Sequence, residues 1–398
     1  MATAVLNIDF TALPKEITGL NTYTKAFILL RFNGKPLGKV VLPVSGGTII
    51  IKDYYNHLLD AAGLNLWNSW LFEYLSYNEK DLIKDFVPPQ ATVAICTRNR
   101  TDDLRRCLDA LMQMPDDGQE ILVIDNCPSD DSTKTLVANY KRVTYVLEVR
   151  PGLNIARNRA LTAAKNEVIA FTDDDATPDT NWLRSIVNNF NSAMVMCVTG
   201  LTLPLELETD GQEAFEKYSP FGKGFKKKVH TSESRNPLST GEVGAGANMA
   251  LRKTALSEIG YFDEALDAGT ATQSGGDHEY FSRILIAGYH IVYEPEALSW
   301  HRHRKTLEET RKAIHGYGVG VYAFWTRLLV VERELNVLSF PWNWFRYSQL
   351  PNLIKSLIKR SGSQPLNLVL AELKGCIIGP SSYFKARRSL KKRETNYE

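Results

Sequence analysis

The stretch ATVAICTRNRTDDLRRCLDALMQMPDDGQEILVIDN (residues 91–126) decides how this chain folds. An apolar, β-rich segment (TVAIC, 92–96) is followed by a helical spacer near 102–114 and then by a second such segment (EILVID, 120–125). Short strands separated by helix-length spacers read as βαβ units. The pattern continues with strands at VTYVLEV (143–149), EVIAFT (167–172) and MVMCVT (194–199), and with helices near 131–140, 153–165 and 179–190. The expectation is an α/β fold with a mostly parallel central sheet flanked by helices. Ligands of such sheets bind in the crevice beyond the strands' carboxyl ends. The residues just after each strand are therefore the ones to inspect.

Toward the N-terminus, residues 1–88 read as a small α+β module. Within it, FILLRF-NGKPLG-KVVLPV (27–44) sets an Asn33-Gly34 turn between two apolar runs, a β-hairpin signal, and a helix rich in Leu, Trp and Tyr follows over roughly Tyr54 to Tyr77. Pro88-Pro89 marks a boundary before the main domain, 89–304. Inside that domain, residues 205–245 are polar and read as a long mobile segment, either a lid or a solvated loop. A helix begins near Asp277, and a strand lies near His290–Tyr293. Residues 305–398 read as a helical, aromatic-rich extension.

The chain has 398 residues, beyond the ~250–300 at which one core stops growing, so a main domain with additions is expected. At 44% apolar and 23% charged residues the composition excludes long disorder and fibrous repeats. A net charge of +2 argues against a nucleic-acid partner. That charge is unevenly spread. From Lys305 onward sixteen Lys and Arg face seven Asp and Glu, a balance of +9 that leaves −7 for the first 304 residues. The five cysteines (Cys96, Cys107, Cys127, Cys197, Cys376) are an odd set without a C-x-x-C pair, which favours a reducing, cytoplasmic setting. MATAVLNIDFTALPKE lacks the features of a signal peptide, and the most apolar long run, Ile314–Val331, is broken by Arg327 and three glycines.

Three polar clusters follow the strands. They are Thr97-Arg98-Asn99-Arg100, Asp125-Asn126 and Asp173-Asp174-Asp175. Adjacent carboxylates raise one another's pKa and oppose folding unless something positive sits among them. A divalent cation would relieve them; so would a solvated turn whose acids cap the next helix. Arg98, Arg100, Arg157 and Asn158 offer donors suited to phosphate. There is neither a G-x-G-x-x-G nor a G-x-x-x-x-G-K-[ST] motif, so a dinucleotide site or a P-loop is not supported. In SGGDHEYFSRIL (274–285) Asp277 reads either as a helix cap or as a general base, with His278 and Glu279 as weaker candidates for the base. His301 and His303 in LSWHRHRK alternate, which would put both imidazoles on one face.

Together these segments resemble glycosyltransferase family 2, over roughly Ala91 to Arg304. VAICTRNR is similar to the family's first strand and loop, ILVIDNCPSDDST to its second-strand acid and turn, and PGLNIARNRAL to its G-x-x-x-A-R-N helix. FTDDDATPDTNWL resembles its metal-binding D-x-D segment, and GAGANMALRKTALSEIGYFDEAL its acceptor-side stretch. The family's base lies in a Glu-Asp pair; here the pair is Gly276-Asp277, with the Asp kept.

The resemblance implies a GT-A fold and a single inverting sugar transfer from a UDP- or GDP-type nucleotide sugar to a saccharide or lipid-linked acceptor, in cell-surface polysaccharide or glycolipid synthesis. Thr97, Arg98, Asn99, Asp125, Arg157, Asn158, Asp173 and Asp174 would frame the donor. Asp173, Asp175 and His301 would hold Mg²⁺ or Mn²⁺, and Asp277 would be the base. A nucleotidyltransferase and a non-catalytic relative are the rival readings. The Q-x-x-R-W motif of processive synthases is missing. The basic stretch YFKARRSLKKR (383–393) is either a solvated terminus or a peripheral contact with an anionic inner leaflet.

Overall fold

A computed structural model describes residues 2–76, 86–360 and 362–397, with side chains to residue 392 in the last of these. Its N-terminal part holds β1 (Thr3–Asp9), β2 (Glu16–Ile17), β3 (Lys25–Phe32), β4 (Lys35–Pro43), β5 (Ile49–Ile50) and α1 (Tyr55–Tyr74). β3 and β4 form the expected hairpin. Asn33 and Gly34 turn it with φ of 48° and 80°, both positive as a type I′ turn requires. β3 is apolar on both faces because both are covered. Ala26, Ile28 and Leu30 pack with Leu58 and Ala62 of α1, while Phe27 and Leu29 pack on Leu201, Leu203 and Tyr293 of the large sheet. An Arg31–Asp179 ion pair at 2.7 Å joins the same two parts. The expected helix end at Tyr77 lies outside the described residues.

The large sheet is built from β6 (Ala91–Thr97), α2 (Thr101–Met112), β7 (Glu120–Asn126), α3 (Ser132–Val137), β8 (Val143–Glu148) and α4 (Leu153–Ala163). Next come β9 (Val168–Asp173), β10 (Ala176–Pro178), α5 (Trp182–Val187) and β11 (Val195–Pro204). α6 (Asp210–Tyr218), β12 (Lys228–His230), β13 (Asn248–Arg252), α7 (Ala255–Glu258), α8 (Gly276–Ile286) and β14 (His290–His301) complete it. The strand order is β10-β14-β11-β13-β9-β6-β7-β8, with β12 also on β14. β6, β7, β8, β9, β11 and β14 run one way; β10, β12 and β13 run against them. This is the GT-A arrangement, a mostly parallel sheet between helices.

The strands read as continuous apolar runs because helices cover both faces. Val93 and Ile95 of β6 pack with Leu104, Leu108 and Leu111 of α2 and Trp182 of α5. Between them Ala94 turns to the other face, with Ala156 and Ala160 of α4 and Phe281 of α8. From β8 at one edge the chain returns to β9 beside β6, so the strand order reverses there and a crevice opens.

Residues 205–245 include regular elements that their polar composition does not announce. They contain α6 and the short β12. Thr209 and Gln212 close a capping box at the start of α6, and β12 is held by backbone pairing to β14.

The C-terminal extension holds α9 (Leu307–Arg327), α10 (Ser339–Trp344), α11 (Leu350–Leu357) and α12 (Leu366–Tyr397). α9 and α12 touch backbone to backbone. A Cβ on Gly318 would lie 2.3 Å from the Glu372 carbonyl oxygen, and one on Gly375 2.2 Å from that of His315. Among the links that tie the extension to the main domain, Arg327 pairs with the buried Glu279 of α8 at 3.0 Å, and Tyr383 donates to Asp263 at 2.9 Å. No helix among the described residues is long and apolar enough to cross a membrane.

Candidate active site

β6, β7 and β9 end side by side, which brings Thr97, Asp125 and the Asp173–Asp175 run to one edge. The three aspartates find different surroundings. Asp174 accepts from Thr97 Oγ1 at 2.8 Å and from Arg100 Nη1 at 2.8 Å. Burial and the neighbouring Asp175 still push its carboxyl up to about 7. For Asp175, burial is outweighed by His301, Arg100 and Arg304, which hold it well below the usual carboxylate range. Its oxygens lie 3.1 Å from His301 Nε2 and 3.0 Å from Arg100 Nη1. Burial and Asp175 raise Asp173, against the pull of Arg157 and His301.

Asp173, Asp175 and His301 each offer one ligand atom, and these atoms lie within 4.8 Å of one another. β14 delivers the histidine: it runs twelve residues to His301 and pairs there with Ala176 of β10. Carboxylate oxygens with an imidazole suit Mg²⁺ or Mn²⁺ better than a thiophilic ion. His301 Nδ1 has no hydrogen-bond partner among the described residues. His303, two residues on, bonds Glu216 at 3.1 Å instead.

Asp125 is fully buried at the end of β7. Tyr145 donates to its Oδ2 at 2.9 Å, whereas Oδ1 has no partner among the described residues. Burial raises this carboxyl, and Asp130 and Asp131 add to the effect. Arg98 and Asn99 sit exposed at the rim. Asn99 adopts φ 56°, and its Oδ1 accepts from the Ser129 backbone at 3.0 Å.

Arg157 is buried on α4 and donates to Asp267 Oδ2 at 2.8 Å and to Asn154 Oδ1 at 3.1 Å. Its charge also acts on Asp277 and Asp173. Asn158 is turned away: its amide is used by the Phe262 backbone, giving to the carbonyl at 3.0 Å and taking from the N–H at 2.9 Å.

Asp277 does not cap α8 through the N-cap position, which is Gly275. Its Oδ2 accepts from the Gly246 N–H at 2.7 Å, and its Oδ1 from the N–H of His278 at 2.8 Å. Burial is outweighed by His278, Arg157 and these two N–H groups, so the carboxyl is held below its ordinary value. Behind it, α9 closes on the loop: a Cβ at Gly320 would lie 2.0 Å from Ser274 Oγ, and Ser274 donates to the Gly316 carbonyl at 2.9 Å.

Three partners were not singled out from sequence. Asp267 and Tyr145 carry no spacing signal. Tyr317 comes from α9, where its ring lies 6.1 Å from Phe215. Burial raises its phenol, Arg304 opposes this, and Asp277, Asp175 and Asp173 reinforce it. Arg100, in contrast, stands in the loop after β6 that the sequence marked as a source of donors.

Residues 92–260 match the model of glycosyl transferase family 2. The pre-mycofactocin glycosyltransferase of Mycobacterium tuberculosis is 29% identical over 240 residues, covering 56% of this chain and 46% of that protein. The chain thus spans less than half the length of that relative. Glycosyltransferase AglE of Haloferax volcanii is 26% identical over 273 residues, 66% of this chain and 82% of that one. Among solved structures, the mannosyltransferase PcManGT of Pyrobaculum calidifontis, in complex with GDP-Man and Mn²⁺, superposes with a TM-score of 0.52. That superposition is at 18% identity and covers 75% of this chain and 92% of that one.

Proposed function

We propose, for a chain that belongs to glycosyl transferase family 2 through residues 92–260, a metal-assisted, inverting transfer of one sugar from a UDP- or GDP-type nucleotide sugar to an acceptor hydroxyl. Cell-surface polysaccharide or glycolipid synthesis is the setting that fits. The observation that carries the reading is the meeting of Asp125, Asp173, Asp175, His301 and Asp277 around the carboxyl ends of β6, β7 and β9.

Asp125, buried and with one unpartnered oxygen, would accept from the nucleotide base. Thr97, Arg98 and Asn99 would frame the nucleoside, and Arg100 would keep the acidic run charged in the pattern described. Asp173, Asp175 and His301 are the residues that would hold Mg²⁺ or Mn²⁺. When bound, the ion supplies Lewis-acid stabilisation of charge on the departing diphosphate. Arg157 and Arg304 add fixed positive charge near that edge. Asp277, ionised and held by two N–H groups, would take the proton from the attacking hydroxyl; such help is worth roughly 10²–10⁴-fold.

The basic helix around Lys385–Lys392 would meet an anionic leaflet. Because Tyr383 and Ala386 are buried, this contact is better probed by neutralising Lys385 and Arg388 than by truncation.

Screening nucleotide sugars for metal-dependent release of nucleoside diphosphate tests the reaction. Release of pyrophosphate would point to nucleotidyl transfer instead. Absence of any turnover across UDP- and GDP-sugars would remove the reading.

A further inference from the structure

Residues 335–357 form one continuous helical segment: a 3-10 turn (Leu335–Leu338), α10, a π turn (Phe345–Gln349) and α11. One side of it is core. Val337 joins the cluster of Leu238, Leu266 and Trp325, and the Phe340 and Trp344 rings lie 5.9 Å and 5.7 Å from Trp325. The outer side carries large apolar residues as well, with Asn336, Ser339 and Asn343 exposed among them. Leu335, Leu338 and Trp342, spaced three and four apart, are 69%, 62% and 61% exposed. On α11 and at its C-terminal cap, Ile354, Leu357 and Ile358 are exposed at the same kind of spacing. A surface helix of a globular protein normally turns a polar face to water. A large exposed apolar patch on such a helix marks an interaction site.

The charges identify what covers it. Arg333, Arg346, Lys355, Lys359 and Arg360 are all exposed around this segment. The two acids in the same stretch are turned to internal use: Glu332 pairs with Arg327, and Glu334 Oε1 accepts from the Asn336 N–H at 3.1 Å. The outward surface therefore combines exposed apolar and aromatic side chains with positive charge and a few small polar groups. Such a face suits the headgroup layer of an anionic bilayer, where Trp and Tyr settle and basic residues meet phosphate. A second copy of the chain fits less well, because a two-fold contact would oppose the patch to itself and bring like charges together.

We infer that the outer face of residues 335–358 lies in the plane of an anionic membrane surface, as an interfacial anchor distinct from the basic helix around Lys385. Its position gives the anchor a direction. Trp325, which the anchor packs on, donates to the Leu238 carbonyl at 3.3 Å. Two residues on, Thr240 Oγ1 lies 3.2 Å from His278 Nδ1, beside Asp277. Little more than one layer of side chains separates the anchor from the helix that carries Asp277. Only this orientation rests on the reading of Asp277 as the acceptor-side base; the anchor itself does not.

Co-sedimentation of the full chain with phosphatidylcholine vesicles, with and without phosphatidylglycerol, tests the inference. Binding to the anionic vesicles is expected to fall by at least about tenfold in Leu338→Glu/Trp342→Glu, since both insertion and charge contribute. Metal-dependent donor hydrolysis should be unchanged, which separates this result from failure of the transferase reading. Arg346→Gln/Lys355→Gln/Lys359→Gln, which alters only exposed side chains, should weaken anionic binding and its salt dependence. Equal vesicle binding by wild type and both variants would overturn the anchor. So would loss confined to Lys385→Gln/Arg388→Gln, or a concentration-dependent dimer in light scattering that Trp342→Glu abolishes.

Discussion

The Gly246 N–H donates to Asp277 Oδ2 at 2.7 Å, and the two residues are packed so closely that a Cβ on Gly246 would lie 2.9 Å from Asp277 Cβ and 2.7 Å from Arg157 Nη2. Glycine at 246 thus lets a main-chain donor, a buried guanidinium and a carboxylate share one point. Gly246→Ala is expected to push both side chains aside. A displacement near 1 Å is enough to cost roughly 10²-fold in rate, while overpacking lowers stability by about 1–3 kcal/mol. Steady-state transfer alongside urea unfolding measures both; an unchanged rate would mean that Asp277 is not where the acceptor is activated.

Asp277→Asn separates the two jobs of that carboxylate. An amide oxygen can still accept from Gly246, which keeps that anchor while the bond from the His278 N–H is lost, and an amide cannot take a proton at neutral pH. Transfer should fall by roughly 10²–10⁴-fold, with donor affinity in calorimetry at the wild-type value. If affinity and rate fall together, Asp277 belongs to the donor side.

How far the sequence carries depends on whether a signal is local. β6, β7 and β9 are legible because each is covered on both faces and so is written as an apolar run. The Asn33-Gly34 turn is legible because two positive φ values demand those residues. Asn158 shows the limit. It follows Arg157 in the motif, but neighbours on a helix point about 100° apart, and the turn carries it to Phe262. Asp267 and Tyr317 were out of reach because their partners lie far along the chain: Asp267 is 110 positions from Arg157, and Tyr317 meets Phe215 from a helix outside the family-like region. α6 was hidden in a polar stretch, although its capping-box spacing at Thr209–Gln212 was there to be read.

The Arg157–Asp267 pair is buried on both sides, with side-chain exposures of 5% and 10%. Removing one partner of a buried pair typically costs about 3–5 kcal/mol; Asp277 and Asp173 stay near Arg157 and place this pair at the lower end. Asp267→Ala should therefore lower the urea midpoint strongly, and Asp267→Asn, which can still accept from the guanidinium, less so. Equal and small effects in the two variants would show that water already reaches Arg157.

At the acidic edge, Asp175→Asn takes the charge off one of the three clustered ligands, and His301→Ala removes another outright. Mn²⁺ binding, followed by electron paramagnetic resonance, should weaken on the order of 10–100-fold, the range in which loss even of outer-shell partners falls. Asp130→Asn lies in the turn after β7, outside the cluster, and should bind Mn²⁺ as wild type does. Unaltered binding in all three proteins would place the ion elsewhere.

His230 gives the fold a pH dependence of its own. The residue is 5% exposed at the end of β12. Its Nδ1 accepts from Arg235 Nε at 3.3 Å. Burial, with Arg235 and Lys228 beside it, pulls the imidazole down to about 4 from an ordinary 6.5. Above pH 6.5 the ring is neutral in both folded and unfolded chains, and stability is complete. Between 6.5 and about 4 the unfolded chain binds a proton that the folded chain refuses. Stability therefore falls as the pH falls, by at most about 1.4 kcal/mol per pH unit, and below that window the loss levels off. His230→Gln keeps an acceptor for Arg235 and does not titrate. Urea unfolding of both proteins from pH 7.5 to 4.5 should show the wild type losing stability relative to the variant through this window. A difference that stays flat across it would mean that the ring takes up its proton without leaving the sheet edge.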